Sequence, residues 1–298
     1  MTREGQTFAG GSRFVHYANF VKLPHTLFAL PFALVGVVLA SELRPVRWAQ
    51  VLWVTVAFTA ARFAAMGFNR VVDRDLDALN PRTARREIPA GLIGAAEAAA
   101  SVAFASALFL LAAWMLNPLC FLLAPLALLW VFFYSYTKRF TRLAHLVLGL
   151  GLGIAPVGGY LAVTGEWSRP WWVVVALAAA VMSWVGGFDI LYALQDVAFD
   201  REHGLHSIPA ALGEARGIAV SRGLHVLAVA ALAAAGLGAG LGGFYFAGVV
   251  AVAALLLYEH SLVRPGDLSR LDAAFFTMNG VISLTFFGFV LAGRVLFR

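Results

Sequence analysis

Nine stretches of about twenty nearly uninterrupted apolar residues occupy most of this chain, and about twenty is the length a helix needs to cross a bilayer core. They run Leu23–Ala40, Trp48–Phe68, Ala95–Leu116, Leu119–Tyr136, Leu143–Val163, Trp171–Leu191, Ala215–Leu237, Gly242–His260 and Ala273–Val295. Composition supports the same class, since 61% of the 298 residues are hydrophobic and 13% are charged. A soluble domain carries about 25% charged residues, and a soluble chain this apolar has too little polar surface to cover itself. The expected fold is therefore an all-α integral membrane protein: nine transmembrane helices in a bundle around a central cavity, built as two quasi-repeated halves. Residues 1–22 are expected as an N-terminal tail and residues 23–298 as a single transmembrane domain. The first apolar run holds Pro24 and Pro31 and no small-residue cleavage site follows it, so it is read as a span. Cys120 is the sole cysteine, which excludes an internal disulfide and a cysteine metal site.

Basic residues set the orientation. Arg3, Arg13 and Lys22 precede the first span. Arg70, Arg74, Arg82, Arg85 and Arg86 follow the second, and Lys138, Arg139 and Arg142 follow the fourth. Arg201, Arg216 and Arg222 flank the loop after the sixth, and Arg264 and Arg270 follow the eighth. The opposite loops hold Arg44, Arg47 and Arg169, with Arg294 and Arg298 at the C-terminus. The N-terminus and the basic loops are thus expected in the cytoplasm, for a multi-pass protein of the cell's inner (plasma) membrane. The net charge of +6 is accounted for by these loops, and no nucleic-acid partner is implied.

An internal repeat organises the chain. Asp73-x-x-x-Asp77 is followed by Ile88-Pro89-Ala90-Gly91-Leu92, and Asp196-x-x-x-Asp200 by Ile208-Pro209-Ala210-Ala211-Leu212. Each copy starts at the cytoplasmic end of an apolar helix and passes through a polar loop into the next one. The second and sixth spans are thus equivalent elements of two halves.

In the first copy, Asn69, Asp73 and Asp77 stand at i, i+4 and i+8, on one helix face. Three oxygen-bearing side chains in a row suit a hard cation such as Mg2+, which takes one or two carboxylates and fills its shell with water and phosphate. A solvated helix end of mixed charge explains Arg70, Arg74 and Asp75 equally well. It does not explain Arg62, which lies seven residues before Asn69 inside an apolar helix, where an ionisable side chain is functional by default. In the second copy, Asp189, Asp196 and Asp200 fall in one stripe with Tyr192 beside it. Asp189 lies about 10 Å deeper than Asp196 by helical rise. A carboxylate there needs a polar cavity, a cation or an Arg partner.

Carboxylates alone suit a bare cation; carboxylates among Lys and Arg suit a cation bridged to a diphosphate. Candidates for the phosphate oxygens are Lys22, Arg62, Arg70, Lys138, Arg139 and Arg142. Tyr134 and Lys138 share a face at i and i+4, as do many interfacial Tyr and Lys residues that only anchor a helix. His25 opens the first span and either touches a substrate or caps the helix. Glu259 and His260 end the eighth span and are expected to be solvated. The glycines of the fifth span, Gly149, Gly151, Gly153, Gly158 and Gly159, are read as close helix packing.

These motifs resemble the UbiA-type intramembrane aromatic prenyltransferases. The matching elements are N-R-V-V-D-R-D-L-D from Asn69, Y-S-Y-T-K from Tyr134 and D-I-L-Y-A-L-Q-D-V-A-F-D from Asp189. Further segments, K-L-P-H-T-L-F-A-L-P-F, D-A-L-N-P-R-T-A-R-R-E-I-P-A-G and G-L-H-S-I-P-A, are similar to the bacterial 4-hydroxybenzoate polyprenyltransferase branch. That branch has relatives that act on 1,4-dihydroxy-6-naphthoate in menaquinone synthesis. The resemblance implies a polyprenyl diphosphate donor, an aromatic acid acceptor, a lipid bilayer as surroundings and Mg2+ as cofactor. It places Asn69, Asp73, Asp77, Asp196 and Asp200 on the metal and Tyr134 and Lys138 near the diphosphate, with Asp189 nearer the acceptor. Lys22 and His25 are expected on the acceptor side. In the expected reaction the C1–O bond breaks, the allylic cation rests against aromatic faces such as Phe68, Tyr192 and Phe188, and Asp189 takes the ring proton. The rival of another class is a polytopic transporter, whose intramembrane charges would line a pathway at the midplane.

Overall fold

The computed structural model describes residues 8–168, 170–271 and 277–296, the side chains of residues 24–28 excepted. Short α1 (Arg13–Phe20) leads into α2 (Leu23–Ala40), α3 (Trp48–Val72) and α4 (Arg74–Leu79). Then come α5 (Ala95–Leu116), α6 (Pro118–Thr137), α7 (Ala144–Thr164) and α8 (Trp172–Ala193). A 3-10 turn at Leu194–Asp196 joins α8 to α9 (Val197–Glu202), followed by α10 (Ile208–Leu212), α11 (Glu214–Gly238), α12 (Gly243–Leu262) and α13 (Asn279–Leu296). Among the described residues eight helices are long and apolar enough to cross a membrane. They start at Trp48, Ala95, Pro118, Ala144, Trp172, Glu214, Gly243 and Asn279. The first expected span is α2, whose apolar stretch Ala29–Ala40 supplies buried Ala33, Val35, Val37 and Ala40 to the core.

Each long helix packs on its successor, and α13 packs back on α2. The bundle centre is where α2 meets α7 and α7 meets α8. A side chain on the glycines there would strike backbone. A Cβ on Gly36 would lie 2.0 Å from the Pro156 carbonyl oxygen, one on Gly159 2.0 Å from that of Ala33, and one on Gly149 2.3 Å from that of Met182. Small residues thus let three backbones touch, the usual means of helix association where lipid removes the hydrophobic drive. Phe32 against Trp184 (ring centroids 4.8 Å) and Phe286 (5.9 Å) ties α2, α8 and α13 together.

Two motif-bearing helices end differently from the uninterrupted helices of the sequence reading. Asp73 leaves helical geometry at φ −94°, ψ 6°, so α3 stops at Val72 and α4 begins at Arg74. The i to i+4 ladder nevertheless runs through the break: Asp73 N–H donates to the Asn69 carbonyl (2.9 Å) and Asp77 N–H to that of Asp73 (2.7 Å). Asn69, Asp73 and Asp77 therefore still stack. The end of α8 tightens into the 3-10 turn before Asp196 starts α9. The Ile-Pro-Ala copies also diverge. Gly91 turns left-handed at φ +71°, whereas Ile208–Leu212 closes a helical turn with Ser207 as N-cap.

The packing predicts a paired outcome. Gly159→Ala should destabilise the protein by about 1–3 kcal/mol through overpacking. Gly158→Ala, whose Cβ meets nothing within 4 Å, should be neutral or slightly stabilising from helix propensity. Melting curves of the two purified variants check this, and equal midpoints would contradict it.

Candidate functional site

The stacked Asn69, Asp73 and Asp77 and the α8–α9 carboxylates Asp189, Asp196 and Asp200 line one polar cavity of about 180 Å3 at a single end of the bundle. Buried charge is costly unless paired, and each carboxylate has a partner from another segment. Asp73, 1% exposed, receives Lys138 Nζ (2.9 Å) and Arg139 Nη2 (2.9 Å), with Asn69 Nδ2 donating at 3.0 Å. Asp77 is held by Arg86 Nη1 at 2.7 Å. Asp196 takes both forks of Arg82, Nε at 2.9 Å and Nη2 at 2.6 Å, and Asn80 Nδ2 at 3.1 Å. Asp200 accepts the Ser207 hydroxyl at 2.8 Å. Asp189 pairs with His145 Nδ1 at 2.7 Å.

Arg82 joins the two halves of the repeat. It leaves the loop after α4, bonds Asp196, donates Nη1 to the Tyr192 hydroxyl at 2.9 Å and stacks its guanidinium 5.1 Å from the Tyr192 ring centroid. Burial opposes its charge, but Tyr192 and Asp196 more than reverse that effect and raise its pKa above the ordinary value. Lys22 also approaches that ring, with Nζ 5.7 Å from the centroid. Burial pulls its pKa well below the ordinary value, and Arg70, Arg86 and Arg82 lower it further. Lys22 is also the one non-glycine residue with positive φ (+47°) among the described residues, a conformation that costs of order 1 kcal/mol.

The polar cavity adjoins a second, largely apolar one of about 630 Å3, and Asn69, Arg86, Tyr134, Asp189 and Tyr192 line both. Its volume comes from small residues on facing helices: Ala57, Ala61 and Ala65 of α3 look toward Gly151 and Ala155 of α7. Trp184 and Phe188 add aromatic wall. Arg62 lines this cavity, its Nε buried without a hydrogen-bond partner among the described residues. Arg70 is buried, with Nε donating to the Phe20 carbonyl at 3.4 Å.

Most of the expected site residues therefore converge. Arg142 does not: it is exposed and lines neither cavity. Phe68 stacks on Phe132 (4.3 Å) and lines neither. The His25 side chain lies outside the described residues. Glu259, expected to be solvated, is instead fully buried, because α12 turns that face toward its neighbours rather than to solvent. Sequence reasoning missed His145, Asn80 and Ser207, and counted Arg82 and Arg86 only as markers of orientation. A signal for His145 existed, an ionisable residue inside an apolar run. None existed for Asn80 or Ser207, whose roles depend on loop geometry.

The donor set fits Mg2+. Hard oxygens face the polar cavity, and Asp77 Oδ2 is buried with no hydrogen-bond partner among the described residues. No three His, Cys, Asp or Glu side chains among the described residues form a cage for an ion. That suits a cation that takes one or two carboxylates and completes its shell from phosphate and water.

The profile of the UbiA prenyltransferase family matches residues 29–281. A 4-hydroxybenzoate octaprenyltransferase of Marinobacter nauticus is 31% identical, covering 85% of each chain. The apo structure of a UbiA homologue from Aeropyrum pernix superposes with a TM-score of 0.81 at 35% identity, over 91% of this chain and 97% of the other. A UbiA homologue from Archaeoglobus fulgidus, bound to GPP and Mg2+, shares the fold at a TM-score of 0.71 and 20% identity, over 94% of this chain and 99% of the other.

The pairing of Asp77 generates a test. Arg86→Gln leaves that buried carboxylate without its counter-charge, which should cost about 3 kcal/mol in chelator. Adding Mg2+ should recover part of the lost melting temperature by binding the folded state. A Mg2+ shift no larger in the variant than in the parent would contradict the assignment of Asp77.

Proposed function

Because this chain belongs to the UbiA prenyltransferase family, we propose that it transfers a polyprenyl group from polyprenyl diphosphate to the ring of an aromatic acid, foremost 4-hydroxybenzoate, in quinone biosynthesis. The observation that carries this reading is the junction of the two cavities. A charged polar pocket with two acidic clusters opens onto a large apolar one, which matches a diphosphate head joined to a prenyl tail. The acceptor class comes from relatives named 4-hydroxybenzoate octaprenyltransferase. The proposed setting is the inner membrane, with the N-terminus and both acidic loops cytoplasmic.

Asn69, Asp73 and Asp77 would hold Mg2+ on one side of the diphosphate and Asp196 and Asp200 on the other. Mg2+ bound there neutralises charge that builds on the leaving group. Lys138, Arg139, Arg82 and Arg86 now hold carboxylates. With cations held on those carboxylates, these donors would be free for phosphate oxygens, and an Arg fork can bind two at once. Arg70 and Arg62 extend this positive wall and Tyr134 stands at the junction; Arg142, outside the cavities, has no part. The tail lies in the apolar cavity, where scarce water limits capture of the allylic cation. The Tyr192 and Phe188 faces stabilise that cation. Lys22, beside Tyr192, offers Nζ to the acceptor carboxylate, and His25 is proposed as a further acceptor contact. The ring attacks C1 ortho to its hydroxyl, and Asp189 takes the proton.

Turnover should require Mg2+, and excess chelator should abolish it. Asp73→Ala and Asp196→Ala should each lower kcat by at least about 100-fold with every acceptor, since removing one preorganised electrostatic group costs 10²–10³. Labelled prenyl diphosphate with liposome-embedded protein and a panel of aromatic acids reads both effects. Full turnover in chelator would sink the reading.

A further inference from the structure

We infer that His145 is a positioning residue that aims Asp189 at the acceptor ring and keeps the transferred proton on that carboxylate. The inference rests on the proposed ring alkylation and adds a residue to it.

His145 is 4% exposed and sits in the first turn of α7, opposite Asp189 on α8. Its two ring nitrogens have different partners. Nδ1 lies 2.7 Å from Asp189 Oδ2. Nε2 lies 3.3 Å from the backbone nitrogen of Ile208. A backbone N–H only donates, so Nε2 is the acceptor and the proton sits on Nδ1, directed at the carboxylate. The tautomer is thereby set by the first residue of α10. The preceding residue of the same loop, Ser207, caps α10 and donates to Asp200 at 2.8 Å. One loop thus supports both a carboxylate of the metal cluster and the partner of the deeper carboxylate.

This geometry divides the work. Oδ2 of Asp189 is engaged by His145, while Oδ1 makes no hydrogen bond among the described residues and the side chain lines both cavities. C1–O cleavage sends the bonding pair to the diphosphate. A π pair of the ring then forms the new carbon–carbon bond. The C–H bond at that carbon breaks, its pair restores aromaticity, and the proton passes to Asp189 Oδ1. Protonating His145 at Nε2 instead would set an N–H against the Ile208 N–H. The imidazole therefore stays a donor, and Asp189 is the terminus of the proton. A carboxylate so held needs no reorientation at the moment of transfer, the advantage of a preorganised base.

The test uses the full chain in nanodiscs with Mg2+, polyprenyl diphosphate and 4-hydroxybenzoate, protio or deuterated ortho to the hydroxyl. His145→Leu should lower kcat about 100-fold, the low end for general base catalysis, with the prenyl diphosphate KM within about twofold of the parent. Its ring-deuterium effect on kcat should rise from near 1 to above about 2, because proton removal becomes the slow step. His145→Asn, whose amide nitrogen reaches the Nδ1 position, should recover about tenfold and lower that isotope effect; His145→Gln, which reaches the Nε2 position, should not. If His145→Leu does not fold, the Asn and Gln variants decide, and equal behaviour of the two overturns the inference. So does a loss of rate with an unchanged isotope effect, which marks a structural role. A parent that binds prenyl diphosphate but alkylates no aromatic acid overturns the reaction and this inference together. A parent that alkylates, matched by its His145 variants, overturns the inference alone.

Discussion

Carboxylates at the end of an apolar bundle are tolerated only where opposite charge or hydrogen-bond donors reach them, and the rest of the site follows from that constraint. The donors come from elsewhere in the chain. Asp73 closes α3 and is neutralised by Lys138 and Arg139 at the end of α6. Asp196, after α8, is neutralised by Arg82 from the loop that leads to α5. Asp189 on α8 meets His145 on α7. These pairs cross between helices and between the halves of the repeat, so the charges that serve a ligand also fix how the helices assemble. The same pairing explains why basic residues stand ready at the cavity. If a cation held those carboxylates, the Lys and Arg side chains that now pair with them would be free to meet an anion.

The apolar half of the cavity has a different origin. Close backbone approach at Gly36, Gly149 and Gly159 fixes α2, α7 and α8 against one another, while Ala57, Ala61 and Ala65 on α3 and Gly158 on α7 line the void. Packing is tight on one face of α7 and loose on the other. A rigid spine and a void of about 630 Å3 thus both come from small residues, at different positions along the helices. The void meets the charged pocket at one end of the bundle, a shape complementary to a substrate with a charged head and an apolar tail. A transport pathway would instead place its charges near the midplane.

Much of this is legible in the amino acids. The spans follow from apolar length, and their starts at Trp48, Ala95 and Leu23 coincide with those of α3, α5 and α2. The acidic clusters follow from i, i+4 spacing, because side chains four apart stack whatever the fold around them. Their partners are less legible. Arg82 and Arg86 bond carboxylates that are distant in sequence or lie around a turn, and no periodicity links Arg82 to Asp196. A count of basic residues grouped them with the acidic loops, whose cavity they line, and gave no hint of their pairing. Glu259 shows the same limit from the other side: a position near a helix end suggests water, but the burial of a helix face is decided by neighbours.

The repeat itself shows how two similar segments take different tasks. Both copies carry Asp-x-x-x-Asp and Ile-Pro-Ala, yet Gly91 takes a left-handed turn where Ala211 continues a helix. Glycine adopts that conformation without the clash a side chain brings, so the first loop folds back. Arg82 and Arg86 from that loop reach across the pocket. The second loop instead winds into α10 and fixes the orientation of its first backbone N–H, that of Ile208, which bonds His145. Ser207, which caps α10 where the first copy has Glu87, and Ala211 in place of Gly91 accompany the difference between a loop that supplies cations and a loop that orients an imidazole. The pocket is consequently asymmetric, with guanidinium groups reaching in from the first half and a deep carboxylate from the second. A reaction that heterolyses the C1–O bond of a prenyl diphosphate at one point and removes a proton at another would use that asymmetry, because a symmetric cluster of carboxylates would leave no separate base.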